Sequence, residues 1–388
     1  MKKIAVVTAT RAEYGLLSPV IEELRKYEDD NLEVHLIVTG THLCSDYGMT
    51  VDEINNRIDY KVSISVKSET ELDISNNQAE ALVKFTRLFH EEKYNAVLLL
   101  GDRYETLAMA IAAGNTRTPI FHLCGGDTTE GAVDEWIRHS ITKMSYLHFV
   151  TNEESRRRVI QLGEDPERVF NYGSTSIDNI LTVAGMSKEE VLESVGLDDC
   201  KYALCTYHPV TMDEGSVDDQ IEEFIRVIKT FPDIQFIVTK SNADQGGARI
   251  NELLCGAVRK VDNLNVYTSL GVRRYLSLMK YAEFVLGNSS SGIIETPSFR
   301  VPTVKIGDRQ KGRLRSESII DCKGDSESII SAIKTALSDE FRTICQKAVS
   351  PYGDGHAAQC IAKKTIDVVE NKSIELKKKF YEYSRGMK

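Results

Sequence analysis

The chain has 388 residues, more than one ordinary hydrophobic core accommodates, and its 41% hydrophobic and 27% charged content fits a two-domain globular protein. A net charge of −10 removes the overall basic footprint that nucleic-acid binding needs, although a local basic pocket stays compatible with it. No apolar stretch reaches the length of a membrane span, and the eight cysteines form no CxxC pair. Reduced thiols and a cytoplasmic location are therefore expected, not a disulfide framework, a zinc ribbon or a membrane anchor.

The opening "MKKIAVVTAT" is too short in its apolar part for a secretory signal and reads as a first buried strand over 4–10. Further apolar runs without polar alternation follow at 34–40, 96–102, 119–124 and 147–152. That is the pattern of parallel strands covered on both faces. Between them, 16–27, 105–115 and 133–144 show helical periodicity. A second series begins near 201, with strands expected at 202–208, 234–240, 265–269, 284–290 and 302–308 and helices at 218–231 and 247–261. A βα pattern repeated twice predicts two doubly wound, Rossmann-like α/β domains, 1–172 and 173–364, hinged within 172–200. The last stretch, about 355–382, has a helical pattern with a basic end, and a C-terminal helix over 365–388 is expected to pack back on the first domain.

Ligands of open parallel sheets bind beyond the carboxyl ends of the strands, and here those ends are polar. Strand one ends in "TATRAEYG", which places Arg11 and Glu13 at the anion-binding end of a βα unit; no GxGxxG follows, so a dinucleotide fingerprint is missing. His42 lies just beyond the second strand. In "LGDRYET", Asp102 is either the N-cap of a helix starting near Tyr104 or part of a site, and capping alone does not account for Arg103. The densest polar segment is "HLCGGDTTEGAVDEWIRH", with His122, a Gly125-Gly126 turn, then Asp127, Glu130, Asp134, Glu135, Arg138 and His139. Carboxylates crowded this closely repel, which raises some pKa values toward those useful for proton transfer. One of Asp134 and Glu135 is explained simply as favourable charge in a helix's first turn. The spacing matches no metal motif.

In the second half, "CTYHPVT" puts His208 at a strand end, and "TKSNADQGG" follows the next strand with Asn242 and Asp244. "LGNSSSGIIE" then gives small residues whose backbone N–H groups, with the Ser289 and Ser290 hydroxyls, suit phosphate oxygens. Glu295 is placed to accept from a ribose diol, and "IGDRQKGR" adds Arg309 and Arg313. Serines chosen only to cap a helix remain the competing reading. Converging anion-binding features point to a nucleotide diphosphate site in this half.

Taken in order, "TATRAEYG", "GTHL…DYG", "LLGDRYETLA", "HLCGGD…VDEWIRHSITK", "TYHPVT", "LGNSSSGIIE" and "IGDRQKGR" resemble the hydrolysing UDP-N-acetylglucosamine 2-epimerases. The resemblance runs along nearly the whole chain. It implies the GT-B architecture, two Rossmann-like domains with the active site in the cleft, no cofactor, no metal, and a homo-oligomer (dimer or tetramer). It implies release of N-acetylmannosamine and UDP, by anti elimination to 2-acetamidoglucal and then hydration, for sialic acid synthesis. Relatives act instead on UDP-linked diacetamido sugars for legionaminic-type acids, and a GT-B glycosyltransferase would share the fold and the nucleotide site. Carried over by position, Asp102, Asp134, Glu135, Asp127 and His208 are the catalytic candidates. Arg11, His42, Arg103, His122, Asn242, Ser289, Ser290, Glu295 and Arg309 are the substrate-binding candidates. Non-hydrolysing relatives carry a lysine near position 16, where this chain has Leu16. Where the family segment reads His-x-Glu-Gly-Gly-Glu, this chain has Cys124 for the first glutamate and Asp127 for the second. A neutral thiol is a poor acid–base group beside Glu or His.

Overall fold

The computed structural model describes residues 1–67, 70–129, 133–182, 185–209, 216–241, 247–371 and 373–382, and every count below refers to these. The chain forms two α/β units. The first comprises Met1–Asp127, Val133–Asn179 and the chain from Tyr352 onward; the second is built on Ile180–Pro351. The boundary expected at 172/173 therefore moves to 179/180, inside the helix Thr175–Thr182. The stretch 352–364, expected in the second domain, belongs to the first.

The first unit has a parallel sheet of seven strands: β1 Lys2–Thr8, β2 Leu32–Thr39, β3 Tyr60–Val62, β4 Ala96–Leu100, β5 Ile120–Leu123, β6 Leu147–Val150 and β7 Val169–Asn171. Their order is β3-β2-β1-β4-β5-β6-β7, so the winding reverses between β1 and β4. Ile4 and Val6 of β1 enter one apolar core with Leu17, Val20 and Leu98, while Ala5 and Val7 enter another with Phe85, Val97 and Ala112. Burial on both faces explains why these strands read as unbroken apolar runs. The short edge strands β3 and β7 gave no such run. The second unit repeats the plan with β8 Tyr202–Thr206, β9 Gln235–Thr239, β10 Leu264–Tyr267, β11 Phe284–Gly287, β12 Thr303–Ile306 and β13 Ile319–Cys322, ordered β10-β9-β8-β11-β12-β13. Here too β8 sends Ala203 and Cys205 to one core and Tyr202 and Leu204 to the other.

The helix after β1 begins earlier than its apolar period suggests, at Arg11, because Thr10 caps it by accepting from the Glu13 N–H at 3.2 Å. Pro19 lies inside this helix, Arg11–Arg25, and lacks the N–H that would bond the carbonyl four residues back. Asn179 supplies the missing donor, with its Nδ2 2.6 Å from the Gly15 oxygen. The helix Ala357–Asn371 lies against Arg11–Arg25 and buries Ala358, Ile361, Ala362, Ile366 and Val369. Its first turn is capped from outside by Asp178, which accepts from the Ala358 N–H at 2.9 Å. The helix expected over 365–388 thus runs over Ala357–Asn371, and 373–382 has no regular secondary structure. That tail is docked by single groups. Lys378 Nζ donates to the Lys143 and Ser145 carbonyls at 2.9 and 2.7 Å and pairs with Glu164, and the Tyr381 N–H reaches the Gly163 oxygen at 3.0 Å. No helix among the described residues is long and apolar enough to cross a membrane.

Candidate functional site

In the first unit the constellation is organised by Arg138, whose side chain is 2% exposed. The helix Asp134–Met144 carries it inward. Its Nε donates to Asp102 Oδ2 at 2.7 Å and its Nη2 reaches the same oxygen. Its Nη1 donates to Glu135 Oε2 at 3.0 Å and to the Asp127 carbonyl at 2.8 Å. One guanidinium so gathers two of the candidate carboxylates and the backbone of a third residue. Asp102 does not cap the following helix, Tyr104–Thr116. Its N-cap is Arg103, which makes no side-chain cap bond, and the Asp102 carboxylate is spent on Arg138. Both Asp102 and Glu135 keep about a quarter of their side chains exposed, at 25% and 27%, so an incoming ligand can reach them. Glu135 also faces His139 Nε2 at 3.1 Å, while Asp134 is exposed at the helix start.

Asp127 points elsewhere. It is buried, and its Oδ1 accepts from Ser155 at 2.6 Å, Thr151 at 3.3 Å and Asn152 at 3.5 Å, all from the end of β6 and the next helix. Gly126 makes this turn possible: its φ is +80°, and a Cβ there would stand 2.3 Å from the Ser155 oxygen. Cys124 adopts φ +64°, a left-handed conformation uncommon for a side-chain-bearing residue; its N–H bonds the Phe149 oxygen at 2.9 Å.

The two histidines expected to meet the sugar lie beneath the surface. His122 is fully buried; its Nε2–H donates to the Gly101 oxygen at 2.8 Å, and Nδ1 faces the Thr142 hydroxyl at 3.4 Å. Burial pushes it down to about 3, so the ring is neutral at physiological pH. His42, 1% exposed, lies between the hydroxyls of Thr8 at 3.1 Å and Thr50 at 2.8 Å, and burial lowers it to about 4. Both imidazoles have their nitrogens engaged within the protein and serve as struts under the strand ends, His122 directly below Gly101. Spacing alone could not reveal this, because a histidine after a strand reads the same whether it points out or in. Arg11 sits in the first turn of its helix and Arg103 at the end of β4, with 39% of the Arg103 side chain exposed.

In the second unit, Asn288 joins the ends of β8 and β11. Its Oδ1 accepts from the His208 N–H and its Nδ2 donates to the His208 oxygen, both at 2.7 Å. Gly287 allows the approach: at φ +142°, a Cβ would stand 2.0 Å from the Thr206 oxygen. His208 is buried, with Nδ1 3.2 Å from the Ser241 hydroxyl. Arg309 Nη1 and Gln310 Nε2 both donate to the Asn288 oxygen, at 3.3 and 3.2 Å, which brings the "GDRQ" loop beside the "GNSSSG" loop. Ser289 and Ser290 are half-buried there. The single helix expected next is two short pieces, Ser291–Ile294 and Thr296–Phe299, with Pro297 at the start of the second. Glu295 takes the Ser291 hydroxyl and stands between them. Asn242, with Asp244 and Glu130, lies outside the described residues. Sequence reasoning left Arg138 and Asn288 off the candidate residues. Arg138 stands three positions after Glu135 on one helix face, and Asn288 inside the serine-rich motif, so both signals were present.

Two doubly wound α/β units with polar loops at the carboxyl ends of their strands define a two-Rossmann-domain enzyme of the GT-B kind. Residues 24–365 match the family model described as UDP-N-acetylglucosamine 2-epimerase. The chain is similar to a Campylobacter jejuni protein described as GDP/UDP-N,N'-diacetylbacillosamine 2-epimerase (hydrolyzing), with 38% identity over 345 residues, 88% of this chain and 89% of that one. It is also similar to the Escherichia coli polysialic acid biosynthesis protein P7, with 37% identity over 381 residues and 97% of each chain. Among solved structures, UDP-GlcNAc 2-epimerase from Neisseria meningitidis bound to UDP-GlcNAc superposes with a TM-score of 0.80 at 20% identity, covering 95% of this chain and all of that one. The chain belongs to the UDP-N-acetylglucosamine 2-epimerase family.

Proposed function

We propose that this protein is a hydrolysing 2-epimerase that converts UDP-N-acetylglucosamine to N-acetylmannosamine and UDP, supplying sialic acid synthesis. The observation that carries the reading is the Asp102–Arg138–Glu135 cluster, two reachable carboxylates held in place by one buried cation. A carboxylate removes the C2 proton while the C1–O bond to UDP breaks, leaving 2-acetamidoglucal. Water then adds across the double bond, its hydroxyl to C1, and a proton is delivered to C2 from the opposite face. Asp102 and the Asp134/Glu135 pair are assigned these proton transfers. Asp127, hydrogen-bonded by the Ser155 hydroxyl, shapes the turn beside them. His208, Arg11, Arg103, Ser289, Ser290, Glu295 and Arg309 are assigned to the UDP moiety, whose leaving charge they offset. Leu16 supports the hydrolysing outcome: it is an apolar side chain packed against the first core, where a lysine marks the non-hydrolysing relatives. The reading carries with it a cytoplasmic homo-oligomer, dimer or tetramer, which light scattering on the purified protein measures.

A second reading is favoured by the description of the Campylobacter relative: the same reaction on UDP-N,N'-diacetylbacillosamine, toward legionaminic-type acids. Incubation of the protein with each UDP-sugar in deuterated water separates these. Free N-acetylmannosamine with deuterium at C2 supports the first. Turnover of the diacetamido substrate alone supports the second. Recovery of a UDP-linked epimer, or product without deuterium at C2, refutes the hydrolysing elimination.

A further inference from the structure

Two carboxylates to which the mechanism above assigns no role lie where the winding of the first sheet reverses. β1 and β4 are neighbours there, and their chains leave in opposite directions, which opens the crevice where doubly wound sheets hold ligands. Glu13 stands in the first turn of the helix after β1 and Glu105 in the first turn of the helix after β4. They are 8% and 2% exposed. Glu13 Oε2 accepts from the Ala9 N–H at 2.7 Å, and Glu105 Oε1 accepts from Arg103 Nε at 2.7 Å. The second oxygen of each, Glu13 Oε1 and Glu105 Oε2, is buried without a hydrogen-bond partner among the described residues.

Arg103 is paired with Glu105, and Glu13 buries a second carboxylate at the end of the neighbouring strand. With both ionised, the cluster would bury a net negative charge, at a cost that proteins avoid by keeping a proton. A proton on Glu13 Oε1, which has no hydrogen-bond partner among the described residues, removes that excess charge. The electrostatics agree: burial and then the Glu105 charge raise Glu13 to about 7, against the opposing pull of Arg103. Other charged groups around Glu13 do not change this. Arg11 is on the same helix. His42, on the Gly40–Leu43 turn beside Ala9, is neutral above about pH 4. Asp178, on the helix whose Asn179 reaches Gly15, is turned to the Ala358 N–H. The helix Ala357–Asn371 buries only Ala, Ile, Val and Thr side chains.

We propose that Glu13 and Glu105 hold one proton between them and act as a positioning pair for Arg103, balancing its positive charge beside the substrate's diphosphate when the proton is present and over-compensating it when the proton is lost. The inference rests on the assignment of Arg103 to UDP. Loss of the proton to solvent converts a neutral cluster into one bearing a single negative charge, which repels an anionic ligand.

The test pairs infrared spectroscopy with kinetics. In the wild-type protein, the carbonyl stretch of a protonated carboxyl is expected near pH 6, fading around pH 7. That step should be missing from Glu13→Gln and move to lower pH in Glu105→Gln, which removes the neighbouring charge but leaves Glu13 buried. With the UDP-sugar substrate, the ratio of wild-type KM to Glu13→Gln KM is expected to rise up to about tenfold for each pH unit above 7, with kcat changing less. The ratio cancels the ionisation of the substrate's own phosphates. A purely structural role for the pair predicts parallel profiles and a flat ratio, and that result overturns the proposal. So does a wild-type infrared titration with no carboxyl step between about pH 6 and pH 8.5. The infrared arm needs no substrate, so it decides the shared proton even if no UDP-sugar is turned over, an outcome that would instead refute the proposed reaction.

Discussion

Replacing Arg138 by methionine separates the organising role of this cation from its bulk. The methionine keeps most of the apolar stem in the core but removes the donors to Asp102 and Glu135 and the one to the Asp127 carbonyl. Removing one partner of a buried ion pair costs about 3–5 kcal/mol, because the remaining charge is left uncompensated. Here Asp102 and Glu135 are one-quarter exposed and regain water, which places the loss at the lower end, about 3 kcal/mol. Arg138→Lys restores a charge but not a planar fork, and one ammonium cannot hold Asp102 from two nitrogens while reaching Glu135 and the carbonyl. We expect the lysine variant to recover part of the stability and little of the rate. Asp102, no longer fixed in two dimensions, should lose at least about 100-fold in kcat in both variants, equal to about 2.7 kcal/mol of barrier. Urea unfolding followed by circular dichroism reads the first effect, fitted to the transition of the first unit where the two units unfold separately. A continuous assay of UDP release reads the second. A methionine variant within threefold of wild-type kcat, or one that loses less than about 1 kcal/mol, would refute the view that Arg138 assembles the site.

Asn288→Ala should cost about 2 kcal/mol through its two bonds to the His208 backbone and weaken UDP binding about tenfold; calorimetric titration with UDP checks it, and unchanged affinity would detach the β11 loop from the nucleotide. Gly287→Ala places a methyl group 2.0 Å from the Thr206 oxygen, so the second unit should lose at least about 3 kcal/mol or fail to fold, seen as a lower urea midpoint or lost expression. Burial alone would raise Glu164, yet its bonds to His148, Lys143 and Lys378 bring it down to about 2. Its pKa is depressed on folding, so the associated stability, about 3 kcal/mol, is complete above about pH 4.5 and is lost as pH falls toward 2. Glu164→Gln should therefore lower the urea midpoint at pH 7 and flatten its acid limb; an acid limb as steep as the wild type's would exclude the cluster. Imidazole resonances of His42 and His122 should stay at their neutral positions from pH 8 down to about 5, and titration of either near 6.5 would show a ring exposed to solvent.

What the sequence made legible was the skeleton on which the site hangs. Apolar runs such as "AVLLLGD" marked the strands because both faces are buried, and the polar residues just after them marked the loops where chemistry collects. Side-chain direction was not legible at those same ends. Asp102 was equally a cap and a site residue until Arg138, 36 positions away, claimed its carboxylate. His42, His122 and His208 carry the same strand-end signature, which did not show that all three are buried. The start of the last helix was also hidden, since the residue that caps it, Asp178, lies 180 positions earlier in the chain. The tail beyond Asn371 kept a helix-like spacing of Leu376 and Phe380, yet Lys378 is drawn out to cap carbonyls at Lys143 and Ser145, a contact that local periodicity does not encode.

The first unit is closed by a helix that the ribosome makes after the whole of the second unit. Until Ala357–Asn371 emerges, the side of Arg11–Arg25 that it covers stays exposed, and the carboxylate of Asp178 waits for the N–H it will cap. The second unit, whose strands all lie within Ile180–Pro351, can complete its sheet in the meantime. The nascent protein therefore passes through a state with a finished second half and an unsealed first half. A chaperone, or a second nascent chain, would encounter it through that uncovered apolar stripe.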